Sequence, residues 1–217
     1  MGARVLIADD HELVLRGLRA VLESAGHEVC GTAKTGREAV AMARRLAPQI
    51  VVLDVSMPEL NGLDAARQIK RAQPTTEILI LTVHESDRMI RDVLEAGARG
   101  YLLKSDLADE LAHAIEALRR HQPYFSSRVA EVVLSGFLAQ SAAAPEDDTT
   151  EPSRLTPRER EIVQLISEGL STKQVARRLA ISVKTVETHR ANVQRKLGVA
   201  SVGEIVRYAI RNGIVEA

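Results

Sequence analysis

Five short apolar runs, each followed by a longer stretch of helical period, occupy residues 4–120, and this alternation restricts the fold more than any other feature. The runs are Arg4–Ala8, Glu28–Ala33, Ile50–Leu53, Ile78–Leu81 and Gly100–Leu103. Between them, helical periodicity covers 11–25, 36–47, the segment to about 73, 87–96 and 106–120. The runs are apolar along their length, with no polar residue at every second position, so each strand is buried on both faces. Strands of that kind, separated by helices, pair in parallel, because a parallel neighbour is reached only by a crossover. The expectation is an α/β domain: a doubly wound, five-stranded parallel sheet covered by helices on both sides.

The remainder has a different character. Ser126–Gln140 carries Val129, Val132, Val133 and Phe137 at helical spacing and predicts one more helix. Ser141–Ser153 is rich in Ala and Pro, holds four acidic groups and no basic one, and predicts a flexible tether. Residues 154–217 then predict four short helices, over about 157–168, 172–179, 183–197 and 202–212. Their starts are written out as Thr-Pro-Arg-Glu (156–159), Ser171–Gln174 and Ser201–Glu204, in which a hydroxyl cap and an acid or amide three residues later cap each other. Gly169, Gly198 and Gly213 stand at the expected ends. The division is 1–122, a connecting segment 123–153, and a small all-α domain over 154–217.

Charge supports the same division. The chain is neutral, with 29 basic and 29 acidic side chains, yet residues 154–217 hold 12 basic against 6 acidic groups, a net of +6. That third alone is a candidate polyanion binder. The single cysteine, Cys30, excludes a disulfide framework and reads as a small core residue. No apolar run spans a bilayer, and Asp9-Asp10 interrupt the short N-terminal apolar stretch, so no membrane or export segment is expected and the chain is placed in the cytoplasm.

In a parallel α/β sheet the loops at the carboxyl ends of the strands converge where the strand order reverses. Strand one ends in Asp9-Asp10, strand three in Asp54, strand four in Thr82 and strand five in Lys104. Three carboxylates cannot crowd such a place uncompensated. A hard cation such as Mg²⁺ would resolve the repulsion, and Lys104 and Thr82 would take the oxygens of a phosphoryl group received by Asp54. His11 and His84 are read as loop residues, since neither has a second metal-type ligand at helical spacing.

This constellation, with Pro58, Gly62 and Gly97-Ala98-Arg99-Gly100-Tyr101, resembles the flavodoxin-like receiver domain of bacterial two-component response regulators, over residues 3–121. The resemblance implies that Asp54 is the phosphoacceptor and that Asp9, Asp10, Asp54 and the Ser56 backbone carbonyl hold Mg²⁺. It also implies that Thr82 and Lys104 contact the phosphoryl group, and that Tyr101 is the aromatic that turns inward with Thr82 on activation. The chain departs from many receivers in following Lys104 with Ser105 and in carrying Val83 beside Thr82. Phosphatases of the haloacid-dehalogenase type share a phosphorylated carboxylate, but their acid/base Asp stands two residues beyond the nucleophile. Ser56 stands there instead, so no enzymatic turnover is expected.

In the third helix of the basic region, Val186, Val193 and Leu197 form a core side, while Lys184, Glu187, Thr188, Ala191 and Arg195 form an outward face. Such a face suits the major groove, with Lys173, Arg177, Arg190 and Lys196 placed for phosphates. Leu155-Thr156-Pro157-Arg158-Glu159-Arg160-Glu161, Ser182-Val183-Lys184-Thr185-Val186-Glu187-Thr188-His189 and Lys196-Leu197-Gly198-Val199 resemble the LuxR-type helix-turn-helix. Together the two halves resemble the NarL/FixJ class of response regulators. The resemblance implies Lys184, Glu187 and Thr188 against bases, with Thr185 and Arg190 near the DNA backbone. The expected protein is a transcription factor whose phosphorylation by a sensor histidine kinase releases the C-terminal domain. The phosphorylated protein would form a homodimer on double-stranded DNA and engage RNA polymerase. The rival is a regulator that binds DNA without phosphorylation.

Overall fold

The structure, a computed structural model, describes residues 2–83, 87–125 and 155–215. The helix expected over 126–140, the tether over 141–153 and His84 lie outside the described residues. The chain divides into two compact units, residues 1–143 and 144–217.

The first unit follows β1 (Arg4–Ala8), α1 (Glu12–Ser24), β2 (Glu28–Ala33), α2 (Gly36–Leu46), β3 (Ile50–Asp54), α3 (Gly62–Ala72), β4 (Glu77–Thr82), α4 (Asp87–Glu95), β5 (Gly100–Leu103) and α5 (Leu107–Arg119). A 3₁₀ turn, Lys104–Asp106, takes the place of the first residue expected of α5. All neighbouring strands are parallel, in the order β2-β1-β3-β4-β5. Successive strand residues face opposite layers. Leu6, Val51, Leu53, Ile78 and Ile80 pack under α2, α3 and α4. Val5, Ile7, Ile50, Val52, Leu79 and Leu81 pack against α1 and α5. β3 is buried at all five positions, which is why its sequence is the most continuously apolar. β2, at the edge, is only partly covered, and Cys30 there is half-buried against the core rather than inside it.

Two local features position the sheet's carboxyl end. The order reverses between β1 and β3, so the loops after these strands diverge and leave a crevice. The loop after β3 folds back so tightly that the Gly62 N–H donates to Val55 O at 2.9 Å. A Cβ at Gly62 would lie 2.0 Å from the Asp54 carbonyl oxygen, so only glycine fits. Asn61 caps α3 by accepting the Asp64 N–H.

Among the described residues the second unit has four helices: α6 (Pro157–Ser167), α7 (Thr172–Arg178), α8 (Val183–Leu197) and α9 (Val202–Arg211). The reciprocal capping boxes at Thr156/Glu159, Ser171/Gln174 and Ser201/Glu204 are all formed. Ile162, Val163, Leu165, Val175, Val186, Val193, Ile205 and Ala209 make the core. Among the described residues no helix is long and apolar enough to cross a membrane.

Candidate functional site

Register brings the polar strand ends together. Ala8 pairs with Leu53, Asp54 with Leu81, and Thr82 with Leu103. Asp9, Asp54, Thr82 and Lys104 therefore emerge side by side, one step beyond the apolar ladder. Asp9, Asp54 and Thr82 are buried, and Asp10 is exposed at the rim. The Lys104 ammonium reaches inward from its 3₁₀ turn, with Nζ 2.7 Å from Asp9 Oδ2 and 2.9 Å from Asp54 Oδ1.

One cation faces two buried carboxylates, and a third carboxylate lies at the rim. Burial, and next the charge of Asp9, push the Asp54 pKa up to about 6, against the hydrogen bond and charge of Lys104. For Lys104, burial works against the charge, but the close contacts with the Asp9 and Asp54 carboxylates outweigh it and hold the ammonium above its ordinary pKa. Asp9 Oδ2 has no well-directed hydrogen bond of its own and rests on the charge of Lys104. A buried carboxylate oxygen in that condition, beside two more carboxylates, is chemically suited to a hard divalent cation.

His11, expected as a loop residue, stands just before α1 and beside two of the carboxylates. The ligand-type atoms here come from three consecutive residues of a loop. His11 Nδ1 lies 2.9 Å from Asp10 Oδ1 and 3.3 Å from Asp9 Oδ1, and the His11 N–H donates to Asp9 Oδ1 at 2.8 Å. Ligand atoms of Asp9, Asp10 and His11 all fall within 4.8 Å of one another. The usable signal was adjacency in Asp9-Asp10-His11 right after a strand. Ser56 is partly buried on the loop after β3, two residues past Asp54. Tyr101 is buried in the core under α4, the inward position, and its N–H donates to Tyr124 O at 3.0 Å. Val83 is 57% exposed beside Thr82. The Lys104–Ser105 bond, left open by the sequence, is trans, as are all peptide bonds among the described residues.

In the second unit the expected outward face is exposed at every position: Lys184, Glu187, Thr188, Ala191 and Arg195. Val186 and Val193 are buried, and Thr185 and Arg190 lie half-buried at the flanks. Ser182 caps α8, its Oγ accepting the Thr185 N–H at 3.0 Å. The Thr188 hydroxyl donates to Lys184 O at 3.0 Å. One expectation needs correction. Lys196 is not free for phosphate, because its Nζ sits 2.7 Å from the buried Glu159 Oε2 and ties the end of α8 to the start of α6. Lys173 and Arg177 are exposed.

Comparison with known proteins agrees with both halves. Residues 5–116 match the response regulator receiver domain, and residues 153–209 match the bacterial regulatory proteins of the luxR family. The chain is 39% identical to the transcriptional regulatory protein MctR of Rhizobium johnstonii, over 98% of this chain and 95% of that one. It is 39% identical to the transcriptional regulatory protein LiaR of Bacillus subtilis, over 98% and 99%. Among solved structures it is similar to RcsB of Salmonella enterica serovar Typhimurium bound to the rprA promoter in the presence of the phosphomimetic BeF₃⁻. There the identity is 25%, the TM-score 0.61, and the coverage 96% of this chain and 98% of that one. A LuxR-family two-component response regulator from Aurantimonas is 33% identical with a TM-score of 0.59, covering 64% of this chain and 99% of that one. The chain belongs to the response regulators that join a receiver domain to a LuxR-type DNA-binding domain.

Proposed function

We propose that Asp54 is the phosphoacceptor and that its phosphorylation controls dimeric DNA binding by the C-terminal domain. The observation that carries this reading is Lys104, whose ammonium is shared at 2.7 and 2.9 Å between Asp9 and Asp54 at the crevice of the sheet. A carboxylate oxygen of Asp54 bonds to the phosphorus of a phosphohistidine on a sensor kinase, the P–N bond breaks, and the imidazole leaves with its electron pair. Asp9, Asp10, Asp54 and the Ser56 backbone carbonyl would hold Mg²⁺, which when bound would supply positive charge against the phosphoryl oxygens. Lys104 then moves from a carboxylate to a phosphoryl oxygen, and Thr82 donates its hydroxyl to another. The buried Tyr101 keeps Thr82 in that inward arrangement. The protein is a switch and not an enzyme of turnover, since Ser56 at the position two beyond Asp54 offers no general acid or base.

In the second domain, residues 154–217, α8 enters the major groove with Lys184, Glu187 and Thr188 toward bases and Thr185 and Arg190 toward the backbone. Residues 123–153 serve as the connection. Double-stranded DNA, a second copy of the chain, a histidine kinase and RNA polymerase are the partners, which together place the protein in the cytoplasm. The test of the phosphoacceptor is direct. Acetyl phosphate with a magnesium salt should add one phosphoryl mass to the full chain and none to Asp54→Asn. Equal labelling of the two would move the acceptor elsewhere.

A further inference from the structure

The second domain carries five described carboxylates, and four of them are engaged inside it. Glu159 binds Lys196 and caps Thr156, Glu161 pairs with Arg158, Glu168 accepts from Gln164, and Glu204 accepts from the Ala200 and Ser201 N–H groups. Glu187 is the exception: among the described residues it has neither ion pair nor hydrogen bond. Its nearest cations along α8, Lys184 and Arg190 at three residues on either side, leave it alone. One turn before it stands Val183 and one turn after it Ala191, both exposed and uncharged.

An unpaired carboxylate in the middle of a face that meets a polyanion repels phosphate and weakens binding to every sequence. It is tolerable only where the groove presents a hydrogen-bond donor. The major groove has two, the N4 amino group of cytosine and the N6 amino group of adenine. Adenine sets its N7 acceptor beside the amino group, and that lone pair faces the second carboxylate oxygen. On the side away from its guanine partner the cytosine amino group borders only the C5–H edge, whereas the adenine amino group has an acceptor on either side, so cytosine is the better match for the carboxylate. The neighbouring Thr188 offers no competing donor, because its hydroxyl hydrogen is already given to Lys184 O.

We propose that Glu187 is a specificity-determining residue of this domain and reads a cytosine through its N4 amino group. This rests on the reading of α8 as the helix in the major groove. The test selects duplexes from a randomised pool with the full chain held in its beryllofluoride form with Mg²⁺, for the wild type, Glu187→Gln and Glu187→Ala. The wild type should prefer cytosine at one position of each half-site by about fivefold to about a hundredfold. Glu187→Gln should change that position to adenine, since an amide matches N6 and N7 together. Glu187→Ala should erase the preference there and leave the other positions intact. The same base selected by all three proteins, within an otherwise sharp motif, would overturn the proposal and leave the groove reading standing. A wild type that selects no sequence at all would overturn both.

Discussion

Gly62 shows how a single residue without a side chain can govern the chemistry next to it. Its backbone lies against the Asp54 carbonyl, where a methyl group would sit 2.0 Å from the oxygen, so any larger residue must push the end of β3 or the loop outward. Gly62→Ala should therefore cost about 1–3 kcal/mol in denaturant unfolding of the first domain, the range for forced overpacking. It should also slow acylphosphate formation, because Asp54 and Lys104 lose their 2.9 Å register. Unchanged stability with unchanged labelling would mean that the loop relaxes freely. At this scale the sequence was only partly legible. Asp9, Asp10, Asp54, Thr82 and Lys104 could be read because strand ends converge by topology alone. The ion pair of Lys196 could not, because it depends on a side chain folding back onto a group thirty-seven residues away.

At the scale of elements, the helices of the second domain were readable because their caps are local. Thr156 accepts the Glu159 N–H while Glu159 Oε2 accepts the Thr156 N–H at 2.8 Å, all within one turn. The tertiary part was hidden: the same carboxylate also receives Lys196 from the last turn of α8. Burial raises the Glu159 pKa, but the hydrogen bonds from Lys196 and from the Thr156 backbone outweigh it, leaving the group below its ordinary 4.5. A carboxyl depressed in the folded state binds fewer protons there than in the unfolded chain, so its stabilisation is complete above pH 4.5 and fades as the pH falls through the folded value. Glu159→Gln keeps the cap geometry and removes the charge. It should weaken the second domain by about 1–2 kcal/mol at pH 7, read as faster hydrogen exchange of α6 and α8 amides. That difference should shrink as the pH falls below 4.5 and vanish once the folded-state carboxyl is protonated. A difference that persists there would assign the effect to lost packing and not to charge. The boundaries that shifted did so for related reasons. β3 and β4 extend to Asp54 and Thr82 because polar residues at the crevice still pair in the sheet, and Lys104–Asp106 forms a 3₁₀ turn that aims Lys104 back at Asp9.

For the whole molecule, the decisive quantity is how many copies of α8 meet the DNA. One domain of four short helices offers a single recognition helix, hence one half-site, and each base pair read contributes only about 1–3 kcal/mol of discrimination. Two copies held together convert the second contact into an intramolecular event, a gain on the order of 10²–10⁴ in affinity with no new contact in the groove. The switch proposed for Asp54 would act on this number. A phosphoryl group adds roughly −1.5 to −2 charge to a crevice where one lysine already answers two buried carboxylates. On that proposal, the rearrangement that accommodates it would alter the surface through which two copies meet. Sedimentation of the full chain should give a monomer without beryllofluoride and a dimer with it, and titration of a two-half-site duplex should tighten by about a hundredfold. A duplex with one half-site should gain far less, which separates pairing from a change within the DNA-binding domain itself. Both affinities should fall steeply with salt, because the net charge of +6 over residues 154–217 acts through counterion release. Equal mass and equal affinity in the two states would remove phosphorylation from the control of DNA binding. The chain would then be a regulator that binds its operator constitutively, with the Asp9–Asp54–Lys104 cluster serving the stability of the first domain.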